Sequence, residues 1–143
     1  MADLKFNTPE AVEAAFYEAF AEVDLNLMAA VWRDSDHTLC IHPGGGLRRG
    51  KTAVMQSWME VFSGSAPPVI EYHFIEGFAA GNLAVRLVEE RIRPQNTRAE
   101  AVNRVLATNV YLRDAKSWRL IEHHASLPLM ERGRVAGGER QLH

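Results

Sequence analysis

The chain has 143 residues, 47% of them hydrophobic and 24% charged, the length and composition of one ordinary globular domain that buries a core without a staple. Its 16 Lys plus Arg against 18 Asp plus Glu leave a formal charge of −2, without the basic excess that nucleic acid or an anionic membrane would require, so neither is expected as a partner. The single cysteine, Cys40, excludes an intrachain disulfide and a thiolate metal cluster built from one subunit, and no run of ~18 apolar residues or signal-like start occurs, which makes a cytoplasmic location the expectation.

In chain order, Thr8, Pro9 and Glu10 have the character of an N-cap, a first-turn proline and an early acid, and Val12, Phe16, Phe20 and Val23 follow at helical spacing. Asp24 caps a second, shorter helix through Leu27, Met28 and Val31 toward Trp32. A short strand is predicted over Thr38 to His42, stopped by Pro43 and the glycines Gly44, Gly45 and Gly46. A third helix spans Lys51 to Phe62, with Val54, Trp58, Val61 and Phe62 on its apolar face, and ends before Pro67 and Pro68.

From Val69 the pattern becomes extended. Strands are predicted over Val69 to Glu76, Leu83 to Arg93, Ala99 to Arg113 and Trp118 to Ser126, with short links that imply antiparallel neighbours. The third of these is apolar on both faces. The helices cover one, so a homodimer through the other face of the sheet is expected. The fold class that follows is α+β, a curved antiparallel sheet packed on three N-terminal helices, as one domain over residues 1–130 with a glycine-rich, charged tail over 131–143.

Three strings carry a family resemblance: Cys40-Ile41-His42-Pro43-Gly44-Gly45 followed by Gly50, Ala53, Val54 and Trp58; Thr108-Asn109-Val110-Tyr111; and Trp118 through Ser126, with adjacent His123 and His124. In this order they resemble the nuclear transport factor 2-like superfamily, which includes ketosteroid isomerase, the SnoaL-like cyclases and the association domain of calcium/calmodulin-dependent kinase. The resemblance, over about Pro9 to Ser126, implies a cone-shaped, cystatin-like fold whose open end admits a small molecule. The superfamily holds isomerases, dehydratases, binding proteins and assembly modules, so it specifies architecture more than activity.

The same resemblance places His42 where ketosteroid isomerase carries its catalytic carboxylate, and a histidine there suits proton abstraction near neutral pH. The alternative is that His42 merely hydrogen-bonds the glycine turn. Phe16 takes the place of the isomerase's oxyanion tyrosine, with Tyr17 about 100° away around the helix. Asn109 lies at or beside the place of its protonated acid, which counts against the isomerase mechanism itself. Strand alternation, with the kinase resemblance, sets Ile121, His123 and Ala125 inward. His123 is then either a polar anchor in the pocket or a hydrogen-bonded core residue. Arg86 is either a cation for a carboxylate ligand or the partner of Glu89 or Glu90. Phe20, Trp32, Trp58 and Tyr111 are candidate walls. No metal site is expected, because neighbouring histidines in a strand diverge, and no cofactor is called for.

Two functions remain open. One is a small-molecule-binding protein, an isomerase, cyclase or dehydratase acting by general acid/base chemistry through His42, His123 and Asn109 on an apolar or acidic ligand in an enclosed cavity. The other is a non-catalytic dimerisation or assembly module with that cavity filled.

Overall fold

The computed structural model describes residues 4–64, 66–98 and 102–127. Three helices come early: α1 (Pro9–Glu22), α2 (Leu25–Val31) and α3 (Lys51–Phe62), the last preceded by two short strands, β1 (Leu39–Ile41) and β2 (Leu47–Arg49). Four long strands follow, β3 (Val69–Ala80), β4 (Leu83–Arg93), β5 (Asn103–Arg113) and β6 (Trp118–Ser126). The caps form as the sequence requires: Thr8 Oγ1 accepts from Ala11 N at 3.0 Å and Asp24 Oδ1 from Leu27 N at 3.0 Å, each satisfying an otherwise orphaned helix donor.

The strands form one open six-stranded sheet in the order β2-β1-β6-β5-β4-β3. Its long strands are antiparallel, but β1 runs parallel to β6, so the sheet is mixed rather than wholly antiparallel. The sequence gives no sign of β2, because Leu47–Arg49 is too short and too polar for periodicity to register. β3 runs four residues past its predicted end, through Gly77, which has the character of a turn residue. A Cβ on Gly77 would lie 2.5 Å from the Val85 carbonyl, so glycine is there for close strand approach and not to end the strand. The predicted start of the fifth strand at Ala99, and the tail over 131–143, fall outside the described residues.

The core lies between the helices and the concave face of the sheet. Val12, Phe16, Met28, Val31, Trp32, Val54, Trp58, Tyr111 and Leu120 form one buried cluster there. Along β4 the even-numbered Ala84, Val88 and Glu90 are buried, and along β5 the odd-numbered Val105, Ala107, Asn109 and Tyr111. In β6 a bulge opposite Val110 and Tyr111 takes up Ile121: Tyr111 pairs with Leu120 and Val110 with Glu122. The parity therefore switches within the strand. Trp118 and Leu120 face the core together with His123 and Ala125, whereas simple alternation put Ile121 inward and Leu120 outward.

Candidate functional site

Register assembles the site. Cys40 pairs with His123 across the parallel β1/β6 edge, His123 with Asn109, Asn109 with Arg86, and Arg86 with Gly77, so one row of the sheet carries a thiol, an imidazole, an amide and a guanidinium. His42 follows Cys40 by two residues and shares its face, which brings its ring centroid within 6.5 Å of that of His123. Helix α1 crosses this row with Glu13 and Tyr17 one turn apart, both buried.

Two hydrogen-bonded groups result. In the first, His123 Nδ1 lies 2.6 Å from Asn109 Oδ1, Asn109 Nδ2 donates to Tyr17 Oη at 3.1 Å, and Tyr17 Oη donates to Glu90 Oε2 at 2.6 Å. Because the Asn109 amide gives its N–H to the phenol, its oxygen accepts, so His123 carries its proton on Nδ1 and every donor points toward Glu90. In the second, Glu13 accepts from Tyr111 Oη at 2.7 Å and from Arg86 Nε at 2.8 Å, with Glu10 3.4 Å from the same guanidinium. Arg86 also lies over the Phe74 ring at 4.1 Å.

Burial sets the protonation states. It pushes the Glu90 carboxyl up to about 7, against which the Tyr17 hydrogen bond works, and lowers His123 to about 3. Tyr17 and Tyr111 are raised well above their usual range, first by burial and then by the adjacent Glu90 and Glu13 carboxylates respectively, so both phenols stay protonated. Cys40 is pushed up to about 12 by burial, consistent with an inert thiol.

His42 stands apart, half-buried, just past the end of β1. Its Nε2 is 3.0 Å from Ser57 Oγ and 3.6 Å from Cys40 Sγ, and its ring meets Trp58 edge-on at 4.7 Å. The Ser57 hydroxyl donates to the Val54 carbonyl at 2.6 Å, so its oxygen accepts from His42 Nε2. That contact fixes the tautomer: Nε2 holds the proton and Nδ1 keeps its lone pair. Burial, and secondarily the charge of Arg48, lowers the His42 pKa, so the ring is neutral at neutral pH. Trp58 forms the floor beneath it, in contact with Phe16, Phe20 and Phe62 at centroid distances of 5.4, 5.0 and 5.8 Å. Its buried indole N–H has no hydrogen-bond partner among the described residues.

Of the residues singled out by sequence, His42, His123, Asn109, Trp58 and Phe20 gather in one region. Tyr111 joins the neighbouring Glu13 group, and Trp32 sits at the junction of α2 with β6, bridged to Leu120. The enclosed cavity expected behind them is filled: Phe16, Trp58, Asn109 and Tyr111 have no surface that a water molecule reaches. Arg86 pairs with Glu13 and Glu10, not with Glu89 or Glu90, and its guanidinium is spent there. Tyr17 does not turn away from the site as helical spacing suggested; the curved sheet wraps far enough around α1 to bury Phe16 and Tyr17 together. Sequence reasoning missed Tyr17, Glu90, Glu13 and Ser57. For Glu90 the signal was its parity with Val88, which puts an acid on the inward face. Among the described residues, no group of three metal-ligating side chains converges.

Residues 10–130 match the SnoaL-like domain. The chain belongs to that family. A solved structure from Thiobacillus denitrificans, named as a candidate calcium/calmodulin-dependent protein kinase type II association domain, is 36% identical with a TM-score of 0.83, covering 87% of this chain and 98% of the other. A candidate dehydratase of the NTF2-like family from Streptomyces avermitilis shares the fold of this SnoaL-like domain at 24% identity and a TM-score of 0.71, over 82% and 92% of the two chains. The F-box protein SKIP8 of Arabidopsis thaliana is 25% identical over 120 residues, 84% of this chain. The SnoaL-like chain spans 49% of the length of that curated relative. No helix among the described residues is long and apolar enough to cross a membrane.

Proposed function

We propose that this SnoaL-like domain binds a small, mostly apolar molecule at the surface beside His42, against the partly exposed Phe20 and Phe62, and acts on it by general acid/base chemistry with His42 as the base. The observation that carries the reading is the tautomer set by Ser57, which leaves His42 Nδ1 unprotonated on a neutral ring at the edge of an aromatic floor. Isomerisation, cyclisation and dehydration each require removal of a proton beside a carbonyl or hydroxyl, and a neutral imidazole suits that step near pH 7. Phe20 and Phe62, half-buried against Trp58, supply apolar walls. His123, Asn109, Tyr17 and Glu90 lie behind the floor and act as positioning groups. An acidic ligand has less support, because the cation expected to hold it, Arg86, is engaged by Glu13.

The test is a thermal-shift screen of ketones, polycyclic phenols and carboxylates, followed by solvent-deuterium exchange into any stabilising ligand. Loss of exchange by about 100-fold or more in His42→Ala, with binding retained, supports the base. Exchange at the parental rate in that variant removes it.

A second reading, self-association, has its own support. On the sheet face away from the helices, register aligns Phe78, Val85 and Val110 in one row, with Leu87 and Thr108 in the next. Phe78 is 63% exposed. This apolar row, ended by Glu122 and flanked in the next row by Glu76 and His124, suits a second copy of the same chain. The likeness to a candidate kinase association domain points the same way.

A further inference from the structure

Beyond the apolar rows, at the end of the same outward sheet face, two further register rows meet: Val69 opposite Arg93, and Glu71, Arg91 and Arg104 side by side across β3, β4 and β5. Val102, the residue before β5, lines the hollow that they border. Short branched valines between long arginines leave a hollow of about 500 Å³ lined by these six residues. This lies within the range of about 300–1,000 Å³ that small-molecule sites occupy.

The charges around the hollow are unevenly spent. Glu89 accepts from Arg91 Nε at 3.0 Å and from Arg104 at 2.7 and 3.1 Å, so both guanidinium groups are engaged. Arg93 Nη1 donates to the neutral Thr97 carbonyl at 2.9 Å, which leaves its charge uncompensated by that contact. The acidic residue in the lining, Glu71, is turned toward His73 at 3.7 Å. Arg91 and Arg104 are thus engaged beside the hollow, and Arg93 is the cation that faces the valines with N–H groups the Thr97 carbonyl does not take.

We propose that this hollow is a binding site for a small amphiphilic anion, a carboxylate or phosphate ester whose head is held by the Arg93 fork and whose apolar body lies on Val69 and Val102. A planar guanidinium with unspent N–H groups binds such oxyanions in pairs of charge-assisted hydrogen bonds, and the valines give the apolar body a dry contact. The site is on the opposite face of the sheet from His42 and is independent of the chemistry proposed there.

The experiment is a ¹H–¹⁵N titration of the full chain with phenyl phosphate, hexanoate and inorganic phosphate. Phenyl phosphate and hexanoate are expected to shift the amides of Val69, Arg93 and Val102, with inorganic phosphate about tenfold weaker for want of an apolar body. Arg93→Ala is expected to weaken the two amphiphiles about tenfold or more, and Arg93→Lys to recover only part of the loss, because it restores charge without the fork. Val69→Asp, which places an anion on the floor and leaves Arg93 intact, abolishes binding independently of any folding defect in the arginine variants. Shifts centred on Phe20, Trp58 and Phe62, equal binding by inorganic phosphate, or undiminished affinity in well-dispersed Arg93→Ala would each overturn the assignment.

Discussion

His123 Nε2 stands 3.9 Å from Glu90 Oε2, with both side chains only 2% exposed, and the pair is neutral rather than ionic over the mildly acidic range. The separation suits an ion pair but exceeds a hydrogen bond. Burial raises Glu90 to about 7 and depresses His123 to about 3, so the shared proton resides on the carboxyl. Moving it to the imidazole would place two charges in an interior that desolvates both.

This arrangement predicts an unusual pH profile. Unfolded, Glu90 titrates near 4.5 and His123 near 6.5. Glu90, with its folded pKa raised, contributes stability at low pH that is lost as pH rises from about 4.5 to 7; His123, with its folded pKa lowered, contributes stability at high pH that is lost as pH falls from about 6.5 to 3. Between about 4.5 and 6.5 the folded chain holds a proton on Glu90 while the unfolded chain holds one on His123, and the two slopes cancel. Glu90→Gln removes the cancellation, so its stability relative to the parent falls as pH drops through that window, by about 1.4 kcal/mol per pH unit. His123→Asn gives the opposite slope. Urea titrations across pH 4 to 8 read both differences, and parallel profiles for parent and Glu90→Gln would contradict the neutral pair.

Tyr17→Phe keeps the ring packing against Phe16 and Tyr72 but deletes the hydroxyl that links Asn109 to Glu90. An unpaired buried amide and carboxyl then cost about 1–3 kcal/mol, seen as a lower midpoint at unchanged m-value. The Tyr17 hydrogen bond also holds the Glu90 pKa down, so its loss raises the fraction of protonated carboxyl at pH 7. An infrared carboxyl band that does not grow would show that the phenol does not tune Glu90.

The helices were legible because each reports itself locally, through Thr8 and Asp24 as caps and through 3.6-residue spacing at Val12, Phe16 and Phe20. The long strands were legible from alternation for the same reason. What escaped is non-local. The parallel seating of β1 on β6 depends on a crossover of about 80 residues and has no sequence signature, yet it is what brings His42 to His123. The bulge at Ile121 reverses parity without a glycine to announce it. Tyr17 and Glu90 belong to the site because the sheet curls around α1, a property of the whole sheet rather than of either residue.

Gly77 is a compact test of that curvature. It lies beside the β3 irregularity between Phe74 and Glu76, and its bare backbone lets the Phe74 ring pass over it toward Arg86, with Phe74 Cε1 3.1 Å from where a Cβ would sit. The harder obstacle is the Val85 carbonyl at 2.5 Å, which is backbone and cannot turn aside. Gly77→Ala is expected to destabilise by about 1–3 kcal/mol through forced separation of β3 from β4. Faster amide exchange at the register neighbours Val85 and Arg86 would localise the effect, and a neutral substitution would show that the strands are not held that close in solution.

Val110 tests self-association directly. It lies between Val85 and Glu122 in the register, on the face away from the helices, while its neighbours Asn109 and Tyr111 point into the core. Glutamate at this position therefore leaves the interior untouched and places a second acid beside Glu122 on the face that a second copy would cover, where desolvating two like charges is costly. A stable interface of this type buries roughly 800 Å² per partner, more than Phe78, Val85, Val110 and Leu87 offer together, so it would extend over the flanking rows of the same face. Light scattering is expected to give twice the 16.0 kDa chain mass for the parent and the single-chain mass for Val110→Glu, with unchanged far-ultraviolet circular dichroism. A parent that is already monomeric at micromolar concentration leaves the apolar face without a second copy to cover it, and the assembly reading fails on that result alone.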